Sequence, residues 1–181
     1  MSRRAIFLDR DGTINKAIVR GGKPYPPENL TQLEILPGVR EALTIFKQKG
    51  FLLIVVTNQP DVGRGVFKRS DVDAVHAALL ERLPIDEVMT CFHDNRDHCR
   101  CRKPKPGMLL AAAEKWDIKL TASYMIGDRW RDMAAGLSAG CRTIFIDYGY
   151  DEKRPEMYDY QVKTLLEAAT LICNDRGEGN I

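Results

Sequence analysis

No stretch of the 181-residue chain approaches the ~20 consecutive apolar residues that a bilayer-spanning helix needs. Membrane insertion through such a helix is therefore excluded, and no membrane partner is expected. The opening residues, MSRRAIFLDRDG, lack the longer apolar core and small-residue cleavage site of a secretory signal, which predicts a cytoplasmic location. An excess of one charge is also missing. The 27 Lys and Arg against 25 Asp and Glu leave a net charge of +2, too little to argue for a nucleic-acid partner by itself. Neither an internal repeat nor a low-complexity linker divides the chain. With 44% hydrophobic and 29% charged residues, it reads as one ordinary globular domain over 1–181. No amphipathic coiled-coil segment argues for assembly, so a monomer or weak oligomer is expected.

Cysteine is scarce and unevenly placed. Three of the five cysteines crowd into Cys91–Cys101, within the segment CFHDNRDHCRCRKP (91–104). In a chain expected to be cytoplasmic, such crowding favours a metal over disulfides. Cys141 and Cys173 stand alone and read as small buried apolar residues.

Apolar runs alternate with segments of helical period. Ala5–Asp9, Phe51–Asn58, 87–93, Ser123–Asp128 and Arg142–Asp147 read as strands, being short and apolar, several of them rich in β-branched residues. Helices are predicted between them. One spans 37–50, opened by Pro37 and closed by Gly50; one spans 71–83, capped by Ser70; others cover Met108–Trp116 and 131–140. This alternation predicts a Rossmann-like three-layer α/β/α fold around a mainly parallel sheet. Residues 12–36 are turn-rich and read as an excursion or hairpin flap above the sheet edge. The segment FIDYGYDEKRPEMYDY (145–160) carries no functional reading, and its tyrosines are expected to pack rather than stack on substrate.

Ligands of open α/β sheets bind beyond the carboxyl ends of the strands. Three strand ends turn polar abruptly, in FLDRDGT (7–13), VVTNQ (55–59) and MIGDRWRD (125–132). Each alone reads as a turn or helix cap; together they point to a site. Asp9 and Asp11 stand two apart, and Gly12 lets the backbone turn sharply. Of two close carboxylates, one stays ionised as nucleophile or metal ligand, while the other, its pKa raised by its neighbour, carries a proton. Asp128 adds a third carboxylate, Thr57 and Asn58 neutral donors, and Lys103 a positive point charge. Oxygen ligands of this kind suit Mg²⁺, and the set forms a cradle for a phosphoryl group.

The motifs DRDGT, TNQ, RKPKPGM and GDRWRD, in that order, resemble the four motifs of the haloacid dehalogenase superfamily of phosphohydrolases. More narrowly, they are similar to its small capless branch of heptose 1,7-bisphosphate 7-phosphatases and histidinol-phosphate phosphatases. The similarity runs from about Ala5 to Asp147 and implies an HAD-like fold without a cap domain. It implies Asp9 as nucleophile, Asp11 as acid and then base, and Thr57 and Lys103 on the phosphoryl oxygens. Lys105 competes with Lys103, but Lys103 directly follows Arg102 as in the family motif. Mg²⁺ would be held by the Asp9 side chain, the Asp11 carbonyl and Asp128. For Asp132, orienting metal-bound water and an exposed helical aspartate both stay open.

Cys91, His93, Cys99 and Cys101 give Cys-x-His-x5-Cys-x-Cys. Four soft ligands close a tetrahedral Zn²⁺ site of the structural kind. His98 rivals His93, but it adjoins Cys99, where both chelating one ion is awkward, and the related phosphatases match His93. The zinc is expected to order loop 91–106, which carries Arg102 and Lys103.

Matched by position to the heptose phosphatases, the substrate contacts are Ala17, Ile18, Val19, Arg20, Asn58, Gln59, Pro60, Arg102 and Arg129, with Arg64 nearby. Arg102, Arg129 and Arg64 would suit a second phosphate. Pro60 stands where those enzymes usually place a serine. The resemblance thus implies a small phosphorylated metabolite as substrate, heptose 1,7-bisphosphate first. Histidinol phosphate or another small sugar phosphate stands behind it. A polynucleotide 3′-phosphatase and a zinc-stabilised nucleic-acid-binding module are remoter.

Overall fold

The computed structural model describes residues 2–174. Residue 1 and residues 175–181 of the expected domain span lie outside the described residues. In chain order, the elements begin with β1 (Arg4–Leu8), β2 (Ile18–Arg20), β3 (Lys23–Tyr25), α1 (Val39–Gln48), β4 (Phe51–Asn58) and α2 (Pro60–Gly63). There follow α3 (Arg69–Arg82), β5 (Glu87–Cys91), α4 (Gly107–Trp116), β6 (Tyr124–Gly127), α5 (Trp130–Ala139), β7 (Arg142–Ile146), β8 (Tyr160–Val162) and α6 (Leu165–Asn174). No helix among the described residues is long and apolar enough to cross a membrane.

Six strands pair in the order β5-β4-β1-β6-β7-β8, and every neighbouring pair is parallel. Alternation along each strand feeds two cores. Ile6 and Leu8 of β1 face Leu43 and Phe46 of α1, Leu79 of α3 and Ala169 of α6. Ala5 and Phe7 face the opposite side, with Leu109 and Ala112 of α4 and Ala135 of α5. A sheet covered on both faces accounts for the continuous apolar strands, and the three layers match the architecture expected from the alternation.

Local details depart from the expected boundaries. Ser70 lies inside the first turn of α3; its cap position is Lys68, which caps with no side-chain bond. The polar cluster at 68–71 offers several starts, and tertiary packing selects one. Cys141 is buried, but Cys173 on α6 is only partly so. β8 and α6 were not anticipated. The 12–36 excursion contains the antiparallel β2–β3 hairpin, whose turn passes through Gly21 and Gly22, both at positive φ, as a two-residue hairpin turn demands.

The chain runs from β1 out to β4 and β5, then returns to β6 on the other side of β1. This reversal opens a crevice at the carboxyl ends of β1 and its neighbours. Asp9 follows β1, Asp128 follows β6, and Thr57 is the penultimate residue of β4.

Candidate active site

A cavity of about 60 Å³ lies in that crevice, lined by Asp9, Asp11, Asn58, Lys103, Asp132, the Pro24–Pro26 segment, Arg129 and Arg131. At its floor, the Lys103 ammonium donates to Asp9 Oδ1 at 2.8 Å and to Asp132 Oδ1 at 2.6 Å. All three side chains are nearly inaccessible. Burial alone would strip charge from Lys103, but Asp132 and Asp9 outweigh it and raise its pKa, so it remains an ammonium. Asp132 Oδ2 also accepts the Arg129 amide at 3.0 Å. Asp132 is therefore a buried anchor for Lys103, which rules out the reading of an exposed helical aspartate.

Asp9, Asp128 and Asp132 bring carboxylate oxygens within 4.8 Å of one another. Burial, then the Asp132 charge, push Asp9 up to about 6 against the opposing pull of Lys103. Burial, then Asp9 and Asp132, raise Asp128 well above its ordinary value. Both Asp128 oxygens are buried without a hydrogen-bond partner; the Tyr150 phenol faces the group, short of a well-formed bond. Orphaned buried oxygens beside a second carboxylate fit a hard divalent cation with oxygen ligands. Gly12 makes the approach possible. It sits at φ +88°, and a β-carbon there would fall 1.9 Å from Asp128 Oδ2. Gly12→Ala is expected to displace Asp128 and lower kcat by roughly 10²-fold, while the protein still unfolds cooperatively by circular dichroism.

The raised carboxylates set a pH dependence. Asp9 titrates near 6 when folded against an ordinary 3.8. In the metal-free protein its contribution to stability is thus fully present below about pH 4 and lost as pH rises through about 6. A cation held by the ionised form would cancel this loss. The rise in Tm produced by millimolar Mg²⁺ is expected to be at least about twice as large at pH 7.5 as at pH 5, measured by differential scanning fluorimetry.

Asp11 is held by three donors: Arg10 Nε and Asn15 Nδ2 on Oδ1, both at 3.0 Å, and Gln59 Nε2 on Oδ2 at 2.8 Å. Gln59 also donates to Thr57 Oγ1 at 2.9 Å, and both Gln59 and Thr57 are buried. The Asn58 side chain clamps the Lys103 backbone from both sides, accepting its amide at 3.1 Å and donating to its carbonyl at 3.0 Å. Gln59 and Asn58 thus support Asp11 and Lys103 from behind. Lys105 is exposed and donates to the Cys99 carbonyl at 2.6 Å, away from the cavity.

A wider mouth of about 270 Å³ shares Tyr25, Asn58, Arg129 and Arg131 with the inner cavity and adds Lys23, Pro60, Arg64 and Arg102. Ala17, Ile18, Val19 and Arg20 line neither space. Arg20 turns outward to Glu28 at 2.7 Å. The hairpin presents its second strand to the site, through Lys23–Pro26, because the tight turn folds the chain back over the crevice. Arg102 is oriented by Asn95 Oδ1 at 2.9 Å and the His93 carbonyl at 3.2 Å. Arg129 pairs with Glu152 through both nitrogens; burial opposes its charge, but that pairing raises its pKa overall. Arg64 forks onto Asp94 and reaches Asp61, tying α2 to the cysteine loop. Arg131, unnoticed in the sequence, packs on Trp130; burial, then the Arg102 and Arg129 charges, lower its pKa. Tyr148 lies 5.6 Å from Tyr150, and Tyr158 lies 5.4 Å from Phe145.

In the cysteine loop, Cys91 Sγ stands 3.6 Å from His93 Nδ1, 3.7 Å from Cys99 Sγ and 2.9 Å from Cys101 Sγ, and His93 Nδ1 is 3.3 Å from Cys101 Sγ. Ligands at zinc distances on a tetrahedron stand about 3.5–3.8 Å apart, so the cluster fits one ion after a small expansion. His98 is exposed at φ 48° and belongs to no ligand group among the described residues.

Two buried residues at the site had not been singled out. Arg10 reaches His76 Nε2 on α3 through Nη1 at 2.9 Å. Burial, then the Arg10 charge, lower His76 to about 4, so it is a neutral imidazole. No periodicity marks either residue: β1 ends at Leu8, and Arg10 lies in the bend that follows it.

The profile of the haloacid dehalogenase-like hydrolase family matches residues 24–140. The D-glycero-beta-D-manno-heptose-1,7-bisphosphate 7-phosphatase of Escherichia coli K12 is 39% identical over 151 residues, covering 77% of this chain and 76% of that one. The D-glycero-alpha-D-manno-heptose-1,7-bisphosphate 7-phosphatase of Campylobacter jejuni is 35% identical over 172 residues, covering 92% and 94%. The crystal structure of D,D-heptose 1,7-bisphosphate phosphatase from B. bronchiseptica, complexed with magnesium and phosphate, superposes with a TM-score of 0.82 at 27% identity, covering 95% of this chain and 99% of that one.

Proposed function

Because the chain belongs to the haloacid dehalogenase-like hydrolase family and is a phosphoric monoester hydrolase, we propose that it removes the 7-phosphate of a heptose 1,7-bisphosphate through an aspartyl-phosphate on Asp9. The observation that carries this reading is the buried Lys103 bridging Asp9 and Asp132, beside the orphaned oxygens of Asp128.

In the proposed reaction Asp9 attacks phosphorus in line with the leaving oxygen, and Asp11 gives that oxygen its proton. Asp11 then takes a proton from the water that hydrolyses the aspartyl-phosphate. Lys103 and the Thr57 hydroxyl bind the transferring oxygens. Asp9, Asp128 and the Asp11 carbonyl would hold Mg²⁺, which when bound offsets the crowding of negative charge. The zinc set, Cys91, His93, Cys99 and Cys101, would hold the Arg102 loop in order. In the cytoplasm, the proposed location, thiolate ligands stay reduced.

The mouth favours a substrate with two phosphates. Lys23, Arg64, Arg102, Arg129 and Arg131 stand there against one acid, Asp61. Arg102 and Arg131 are the proposed guanidinium contacts, since Arg129 and Arg64 already carry carboxylate partners. The test is kcat/KM with Mg²⁺ on both anomers of heptose 1,7-bisphosphate, the corresponding 7-monophosphate, histidinol phosphate and a 3′-phosphorylated oligonucleotide. The bisphosphate is expected to lead by about tenfold or more. Preference for histidinol phosphate or the oligonucleotide would overturn the substrate assignment.

A further inference from the structure

Arg10 is fully buried, although taking a guanidinium out of water costs several kcal/mol and an apolar residue commonly serves stability better. Its hydrogen bonds are also incomplete. Nε goes to Asp11 Oδ1 and Nη1 to His76, while Nη2 is buried without a partner. A stabilising residue would not be expected to leave a donor stranded. What the arrangement does accomplish is directional. The neutral His76 ring accepts from Nη1 through Nε2, so its proton sits on Nδ1, and the planar fork is fixed in rotation. The fork then fixes Asp11 Oδ1, which Asn15 also holds. Oδ2 has only Gln59.

We propose that Arg10, oriented by His76, is a positioning residue that anchors Asp11 through Oδ1 and leaves Oδ2 as the oxygen that carries the proton. The inference rests on the proposed acid–base role of Asp11. As the bond from Asp9 oxygen to phosphorus forms, the bond from phosphorus to the leaving oxygen breaks, and the proton on Oδ2 passes to that oxygen. In the second half-reaction Oδ2 receives the proton lost by water. Arg10 and His76 exchange no proton; they set the angle from which Oδ2 works.

Leaving-group dependence separates this role from a general loosening of the fold. A sugar alkoxide needs a proton to leave, whereas p-nitrophenolate does not. Arg10→Gln is expected to lower kcat/KM for heptose 1,7-bisphosphate by about 10²-fold, and for p-nitrophenyl phosphate by no more than about threefold. The aryl ester should also show a burst of one p-nitrophenolate per enzyme, because hydrolysis of the aspartyl-phosphate still needs Oδ2. Inhibition by inorganic phosphate should be unchanged. His76→Leu should reproduce the split at about tenfold, and His76→Gln, which keeps an acceptor, should restore most of it. His76→Leu also keeps the question answerable if Arg10→Gln fails to fold.

Equal losses on both esters, or no loss on either, would overturn the proposal. Asp11→Asn identifies which idea has failed. If it lacks the split, the acid–base reading of Asp11 falls. If it has the split while the Arg10 and His76 variants do not, only the positioning role falls.

Discussion

Asp9→Asn is expected to lower kcat by roughly 10⁴-fold or more, while the metal-free protein at pH 7.5 becomes no less stable than the parent. The first effect follows from chemistry: a neutral amide is a poor nucleophile toward phosphorus. The second follows from the site's electrostatics. Asp9 is desolvated and faces Asp132, so its charge is costly above pH 6, and the Asn carbonyl still accepts from Lys103. Loss of the carboxylate should also remove most of the thermal stabilisation by Mg²⁺. Steady-state assays and calorimetry with and without Mg²⁺ check both halves. Appreciable hydrolysis by a variant free of contaminating phosphatase would count against covalent catalysis.

Removal of zinc is expected to act on Arg102 more than on Lys103. Ordering the loop costs about 1–2 kcal/mol per residue, and a structural zinc supplies on the order of ten. Without the ion, the middle of the loop retains ties such as Arg64–Asp94 and Lys105 to the Cys99 carbonyl. Lys103 keeps its own restraint, since Asn58 grips its backbone and Asp132 its ammonium. Arg102 depends on Asn95 and His93, both inside the loop. Cys91→Ser, or extraction by a chelator followed by Mg²⁺ addition, should lower Tm by about 5–10 °C. KM for a bisphosphate should rise about tenfold and kcat fall less, because desolvated phosphoryl contacts are retained. Unchanged Tm, KM and kcat would show that the cluster does not order the loop.

Much of this site was readable before its geometry. Strands that end a buried run put their next side chains at the sheet edge, so Asp9, Thr57 and Asp128 were visible as abrupt polar breaks. The Cys/His cluster announced itself by spacing. Other features depend on distances the chain order hides. Glu152 reaches Arg129 from a segment with no periodicity, and β8 is three residues long with Gln161 at its centre, too short for an alternation signal. The hairpin was visible, but the strand it turns toward the crevice was not, because both strands carry one basic residue and similar apolar content. Asn58 and Gln59 illustrate a different limit. Their position marked them as site residues, yet an amide donates and accepts equally well toward substrate or protein, and only the fold shows them gripping Lys103 and Asp11.

Covalent catalysis requires a phosphoryl group attached to Asp9, and rapid quench with ³²P-labelled substrate tests this most directly. Asp11→Asn, which slows release of that group, is mixed with Mg²⁺ and ³²P-labelled aryl phosphate, quenched in acid and digested. The expected result is about one label per enzyme, stable to acid, released by hydroxylamine and confined to the peptide containing Asp9. Absence of label under turnover conditions, or label on any other residue, would contradict it.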